Sequence, residues 1–229
     1  MVNAGFCTLA AGKRASFRSA GMPSLRHILE THGSLLLLDA ASGRIQVGHL
    51  MQPDHARWAV SAQEAGTGLF HCLESLKINP MDAAAVAFCE GPGSILGIRT
   101  SAMAIRAWQV LRSRPVYAYG SLMVVAHALG DPEAKIIADA RRDTWHCQQM
   151  NQPLQRVGTG ELHGTLYQPE GFRHWSKPPA GVRTADYTLS KLLPRVAEAP
   201  LFTPTEEPDA FMHESPGYRT WEPRIHRAP

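Results

Sequence analysis

Two aspartates stand where chemistry is most readily done. Asp39 closes the apolar run Ser34-Leu35-Leu36-Leu37-Leu38, and Asp139 closes Lys135-Ile136-Ile137-Ala138. Each marks the carboxyl end of a strand buried on both faces, just before a turn. A carboxylate in that position can hold a cation, accept a proton, or be satisfied by the amides of the turn itself. Arg141-Arg142 follows the second acid and suits a phosphate, a solvated turn or a salt bridge to Asp143. Between the acids lies Glu90-Gly91-Pro92-Gly93-Ser94-Ile95-Leu96-Gly97-Ile98-Arg99. Gly91 and Gly93 are free to take positive φ, and Ser94 is placed to cap a helix whose open amides could receive an anion.

Other chemistries lack their residues. The eleven histidines are scattered without a metal-binding pair. No serine sits in a Gly-x-Ser-x-Gly elbow, and no Walker lysine follows the glycine turn. No catalytic residue, cofactor or metal is expected.

The elements that position these residues alternate between strands and helices. Ser34 to Ala40 reads as a strand. Ser42-Gly43 turns the chain into a second strand carrying Ile45, Val47 and His49, and Ala56 to Ser61 supplies a third. Gln63 to Lys77 is predicted helical from Leu69, Phe70, Leu73 and Leu76, with Gly66 and Gly68 weakening its first half. Val86-Ala87-Phe88 leads into the glycine turn. The helix from Ile95 to Arg112 is apolar around most of its circumference, with Leu96, Met103, Ala107 and Leu111 on one stripe and Ile98, Ala102 and Ile105 on another. Pro115 to Ala118 forms a strand, and Ser121 caps a helix running to Leu129.

After Gly130-Asp131-Pro132 the pattern strand, acid, turn, strand returns at Ile136–Gln149, about a hundred residues after Leu35–Val47, as an internal duplication would leave it. Weak strands follow at 161–167 and 181–188, a helix at 189–198 around Pro194, and a short helix near 209–213. Residues 1–32 read as a basic extension, with Lys13, Arg14, Arg18 and Arg26 before the first acid at Glu30, and are expected to be disordered. Residues 33–130 then make a first lobe, and 131–229 a second lobe with a Pro-rich tail.

A net charge of +3 is too small to predict nucleic-acid binding. Four separated cysteines, two within apolar runs, suit a reducing, cytoplasmic setting. No apolar run approaches the roughly 18 residues of a membrane span.

Leu38-Asp39-Ala40-Ala41-Ser42, the stretch from Glu90 to Arg99, Ala138-Asp139-Ala140-Arg141-Arg142 followed by Trp145, and Pro216-Gly217-Tyr218 together resemble the TsaB (YeaZ) family. The match runs in register over roughly residues 33–150. It departs at Leu96, where the family usually has threonine. The resemblance implies the actin-like ATPase (sugar kinase/Hsp70) α/β fold, with two lobes, each a five-stranded mixed sheet with helices. It implies a non-catalytic subunit of the tRNA N6-threonylcarbamoyladenosine (t6A) modification complex. Its partners would be a TsaD-like catalytic subunit and a TsaE-like ATPase, with tRNA reached through the complex and a homodimer in isolation. Asp39, Ser42, Gly91, Gly93, Ser94, Asp139 and Arg141 become vestigial nucleotide-fold loops. The partner surface is expected on the two long helices, at Leu69, Leu73, Leu76, Ile98, Arg99, Ala102, Ile105 and Arg106. Two rivals remain. One is an actin-like-fold kinase or metallopeptidase-like enzyme, of which the kinase would use Asp39 and Asp139 around a metal-bound nucleotide. The other is a free-standing binding protein diverged from the family.

Overall fold

The computed structural model describes residues 21–211. Five helices of seven or more residues and eleven strands follow in the order α1 (Leu25–His32), β1 (Leu35–Asp39), β2 (Ile45–Leu50), β3 (Ala56–Ser61), α2 (Ala65–Leu76), β4 (Ala85–Gly91), α3 (Ile95–Leu111), β5 (Val116–Gly120), α4 (Ser121–Leu129), β6 (Lys135–Asp139), β7 (Thr144–Gln148), β8 (Gln155–Gly158), β9 (Leu166–Pro169), β10 (Arg183–Ala185), α5 (Leu189–Arg195) and β11 (Phe202–Pro204).

The strands form two mixed sheets. The first has six strands in the order β11-β5-β4-β1-β2-β3, and the second has five, β10-β9-β6-β7-β8. Without β11, the two orders are the same. In each sheet the first three strands form an antiparallel meander, and the fourth joins the first strand in parallel. The fifth then continues in parallel beside the fourth. The duplication inferred from the repeated strand–acid–turn unit is therefore a repeat of whole-sheet topology. The helices are not duplicated equally. In the first half, α2 and α3 make the crossovers to the parallel strands, whereas residues 159–165 and 170–182 make them in the second with no α-helix.

The central strand β1 explains why its sequence is apolar without alternation. Leu36 and Leu38 pack with Leu69, Leu73, Phe88, Ala102 and Ile105 under α2 and α3. Leu35 and Leu37 face the other way, against Ile28, Val125 and Leu193. This second core reaches Ile136 and Ala138 of the second sheet, so the two sheets share one apolar layer with α4 and α5 inside it.

Three boundaries differ from the sequence reading. The expected disordered extension over 1–32 includes an ordered helix. In α1, Leu25, Ile28 and Leu29 lie on one buried stripe; Ser24 caps its start by accepting from the His27 amide, and Gly33 closes its end with φ 80°. Residues 1–20 of that expectation lie outside the described residues. Nor does the second lobe keep all of residues 131–229, since β11 returns to pair antiparallel with β5 and gives the first sheet its sixth strand. The helix expected near 209–213 is irregular through Phe211, and the remainder lies outside the described residues.

Candidate functional site

β1 delivers Asp39 into a closed environment. Its side chain is fully buried. Oδ1 accepts from the Ala41 amide at 3.0 Å, and Oδ2 accepts from the hydroxyls of Tyr119 and Tyr187, each at 2.7 Å. Burial pushes the carboxyl above its ordinary value, against the opposing pull of the two tyrosines and the Ala41 amide. Phe172 packs edge-on against Tyr187 at 4.9 Å between ring centroids. The Gln46 side chain donates to the Tyr187 carbonyl and accepts from the Leu189 amide. Ser42 is likewise turned inward, its hydroxyl donating to the Arg44 carbonyl at 2.9 Å and accepting from the Arg44 amide. Asp39 therefore serves the joint between the two sheets, while Ser42 closes the turn of its own loop.

The glycine turn after β4 is filled by the chain's own backbone. Gly91 has φ 122° and Gly93 φ 156°. A Cβ on Gly93 would lie 2.4 Å from the Ala41 carbonyl oxygen, and one on Gly97 2.1 Å from that of Ala40. The Ser94 amide donates to the Ala41 carbonyl at 2.7 Å, and the Ser94 hydroxyl caps α3 by accepting from the Gly97 amide at 3.4 Å. These glycines are needed because α3 starts against the β1–β2 loop, the close approach that only a missing side chain permits. The anion-binding reading of this turn gains nothing from the geometry.

Asp139 is held differently. Oδ1 accepts from the Arg141 amide at 2.5 Å, while Oδ2 accepts from the amides of Trp175 and Ser176, both at 2.6 Å. Partial burial raises its carboxyl, but the Ser176, Arg141 and Trp175 amides outweigh that and hold it below the ordinary value. Arg141, Arg142 and Asp143 then run consecutively through the left-handed region at φ 65°, 53° and 55°. For non-glycine residues this costs roughly 1–2 kcal/mol each. The Arg141 guanidinium lies 4.6 Å from the centroid of the Trp175 ring. Asp39 and Asp139 share no partner, and the described residues contain no cluster of histidine, cysteine, aspartate and glutamate able to hold a metal ion. For both acids, donors within the chain satisfy the carboxylate.

The faces of the long helices are the largest correction. Leu69, Leu73 and Leu76 of α2, and Ile98, Ala102 and Ile105 of α3, were expected on a partner surface, yet all six are buried, Ile98 in the layer the two sheets share and the other five in the core under α2 and α3. Arg99 and Arg106 of that expectation are exposed. They lie on the opposite stripe of α3, interleaved with Leu96, Met103 and Val110, whose exposures are 75%, 60% and 87%. The spacing 96, 99, 103, 106, 110 is that of one helix face. Leu111 extends the apolar surface at 76% exposed, and Phe70 of α2 is also open. Arg99 has a distant ion partner in Asp209 at 3.9 Å.

The same architecture occurs in solved structures. The chain is similar to an uncharacterised Pseudomonas aeruginosa protein described as having similarity to peptidase YeaZ, with TM-score 0.53 and 19% identity over 73% of this chain and 90% of that one. It is also similar to YeaZ from Pseudomonas aeruginosa, with TM-score 0.50 and 21% identity over 70% and 86% of the two chains. The chain has the YeaZ fold. No protein-family model and no curated protein sequence matches it.

Pro216-Gly217-Tyr218 lie outside the described residues; on the YeaZ fold, the site residues named with the resemblance's loops fall into two groups. Asp39, Ser42, Gly91, Gly93 and Ser94 come together where the β1–β2 loop meets the start of α3. Asp139 and Arg141 form a separate group with Trp175. Sequence reasoning missed Tyr119, Tyr187 and Trp175. Their only local signal is a large aromatic outside a regular apolar stripe, and nothing in the sequence pairs them with a particular aspartate. No helix among the described residues is long and apolar enough to cross a membrane.

Proposed function

We propose that this chain is a TsaB (YeaZ)-type, non-catalytic subunit of the tRNA threonylcarbamoyladenosine modification complex, pairing with a TsaD-like catalytic subunit. The observation that carries this is the outward stripe of α3. Leu96, Met103 and Val110 hold large apolar side chains in water along one helix face, which suits a partner helix better than solvent. Arg99 and Arg106 between them would set register against acids of the partner. The YeaZ fold and the quoted loop residues support the family assignment. A partner role without catalysis is supported by both strand-end acids being occupied within the chain. In this reading a TsaE-like ATPase joins the pair, and tRNA is reached through the complex. A cytoplasmic setting is supported by Cys72, Cys89 and Cys147 being buried free thiols.

The test is co-purification with the TsaD-like subunit of the same organism, followed by a threonylcarbamoylation assay on tRNA. A complex whose activity depends on this chain is the expected result. Absence of a complex, or full activity without the chain, would overturn the proposal. ATP turnover by the chain alone, abolished by Asp39→Asn, would favour the kinase rival instead.

A further inference from the structure

We infer that Trp175, with the loops at 139–143 and 170–177, forms a stacking platform for an unpaired nucleotide of a single-stranded nucleic acid. Trp175 keeps 62% of its surface open although Arg141 already lies on its ring. The stack is not needed to join the two loops, because Asp139 already ties them through the amides of Arg141, Trp175 and Ser176. Arg142, Arg173 and Lys177 are exposed in the same two loops. Among the described residues, no hydrogen bond or ion pair engages these three cations. Asp143 and Glu170 are the exposed acids of the same loops, and Asp139 spends its charge on amides.

The ligand that matches has a planar face and carries negative charge. A nucleotide meets both requirements, its base stacking on the indole or guanidinium plane and its phosphate reaching Arg142, Arg173 or Lys177. A base within a duplex has both faces covered, so the strand must be unpaired here. The three residues 141–143 run consecutively through the left-handed region, with Arg141 over the ring and Arg142 exposed next to it in the chain. Strain of this kind points to a site when the surroundings fix it, as Asp139 does. The platform is built from loops that follow β6 and β9 and shares no residue with the α3 stripe, so it does not depend on the subunit-pairing proposal.

The experiment measures binding of a fluorescently labelled single-stranded oligoribonucleotide to the full isolated chain by anisotropy at low salt. A duplex of the same sequence and heparin serve as competitors. The expected result is preference for the single strand, with Trp175→Ala weakening it about tenfold or more and Trp175→Phe retaining most of the affinity. Arg142→Ala and Lys177→Ala should each flatten the salt dependence of log K by about one phosphate contact. Equal affinity for duplex and single strand, displacement by heparin that ignores Trp175→Ala, or no binding at all would overturn the inference. Complex formation with a TsaD-like subunit is scored separately, so failure of one proposal leaves the other standing.

Discussion

The Tyr187 hydroxyl donates to Oδ2 of Asp39 at 2.7 Å, joining residues 148 positions apart in the chain. Tyr119 donates to the same oxygen, and Phe172 braces Tyr187 from the side. The acid at the end of β1 is the receptor for a clasp between the two sheets.

Removing one clasp donor leaves a buried carboxylate short of a partner. Tyr187→Phe should destabilise the protein by about 1–3 kcal/mol. For a chain of this size that lowers Tm by roughly 2–4 °C per kcal/mol. Tyr119→Phe should cost a similar amount, and the double variant more than the sum, since both act on one oxygen. Thermal unfolding of the three variants checks this.

The two acids should respond to pH in opposite senses. The Asp39 carboxyl lies above its ordinary value because of burial, so the native state binds its proton more tightly than the unfolded chain. Its contribution is fully present below the unfolded value and is lost as pH rises through the raised native one. Asp139 lies below its ordinary value because three amides outweigh its partial burial. Its contribution is present above the unfolded value and lost as pH falls through the native one. Urea unfolding between about pH 3 and pH 7 should therefore show wild type losing stability relative to Asp39→Asn as pH rises, and gaining it relative to Asp139→Asn.

The faces of α3 separate folding from pairing. Leu96→Glu and Met103→Glu should leave circular dichroism and Tm nearly unchanged while abolishing co-purification with the TsaD-like partner. Ile98→Glu should yield little soluble protein, because it buries an unpaired carboxylate in the core. Soluble, folded Ile98→Glu would show that the inward assignment of that face is wrong.

Two helical glycines should behave in opposite ways. A Cβ on Gly97 collides with the Ala40 carbonyl, so Gly97→Ala should cost about 1–3 kcal/mol as α3 is pushed off the β1–β2 loop. Gly66 of α2 has open space where its Cβ would be, so Gly66→Ala should gain about 0.5 kcal/mol. Denaturant midpoints of the two single variants decide it.

Much of this architecture was legible in the residues themselves. The apolar runs 35–39 and 135–139 are strands because only a strand buried on both faces tolerates such continuity, and both end at the predicted acids. The glycine turn takes the positive φ its composition allows, and Ser94 caps α3 from the position its type favours. These are local properties, decided within a few residues of chain. The repeat of strand, acid and turn likewise announced two sheets of one topology.

What the tertiary structure alone decided is which surfaces meet. Both stripes of α3 are apolar, so periodicity could not say that Ile98, Ala102 and Ile105 face the sheet while Leu96, Met103 and Val110 face water; the sheet's position chose between them. Residues 25–32 looked like part of a basic extension because charge obscured a three-residue apolar stripe that matters only against β1 and α5. The return of β11 to β5, and the convergence of Tyr119 and Tyr187 on Asp39, join residues far apart in the chain. Such pairings depend on the free energy of the whole packed assembly, and no local pattern encodes them.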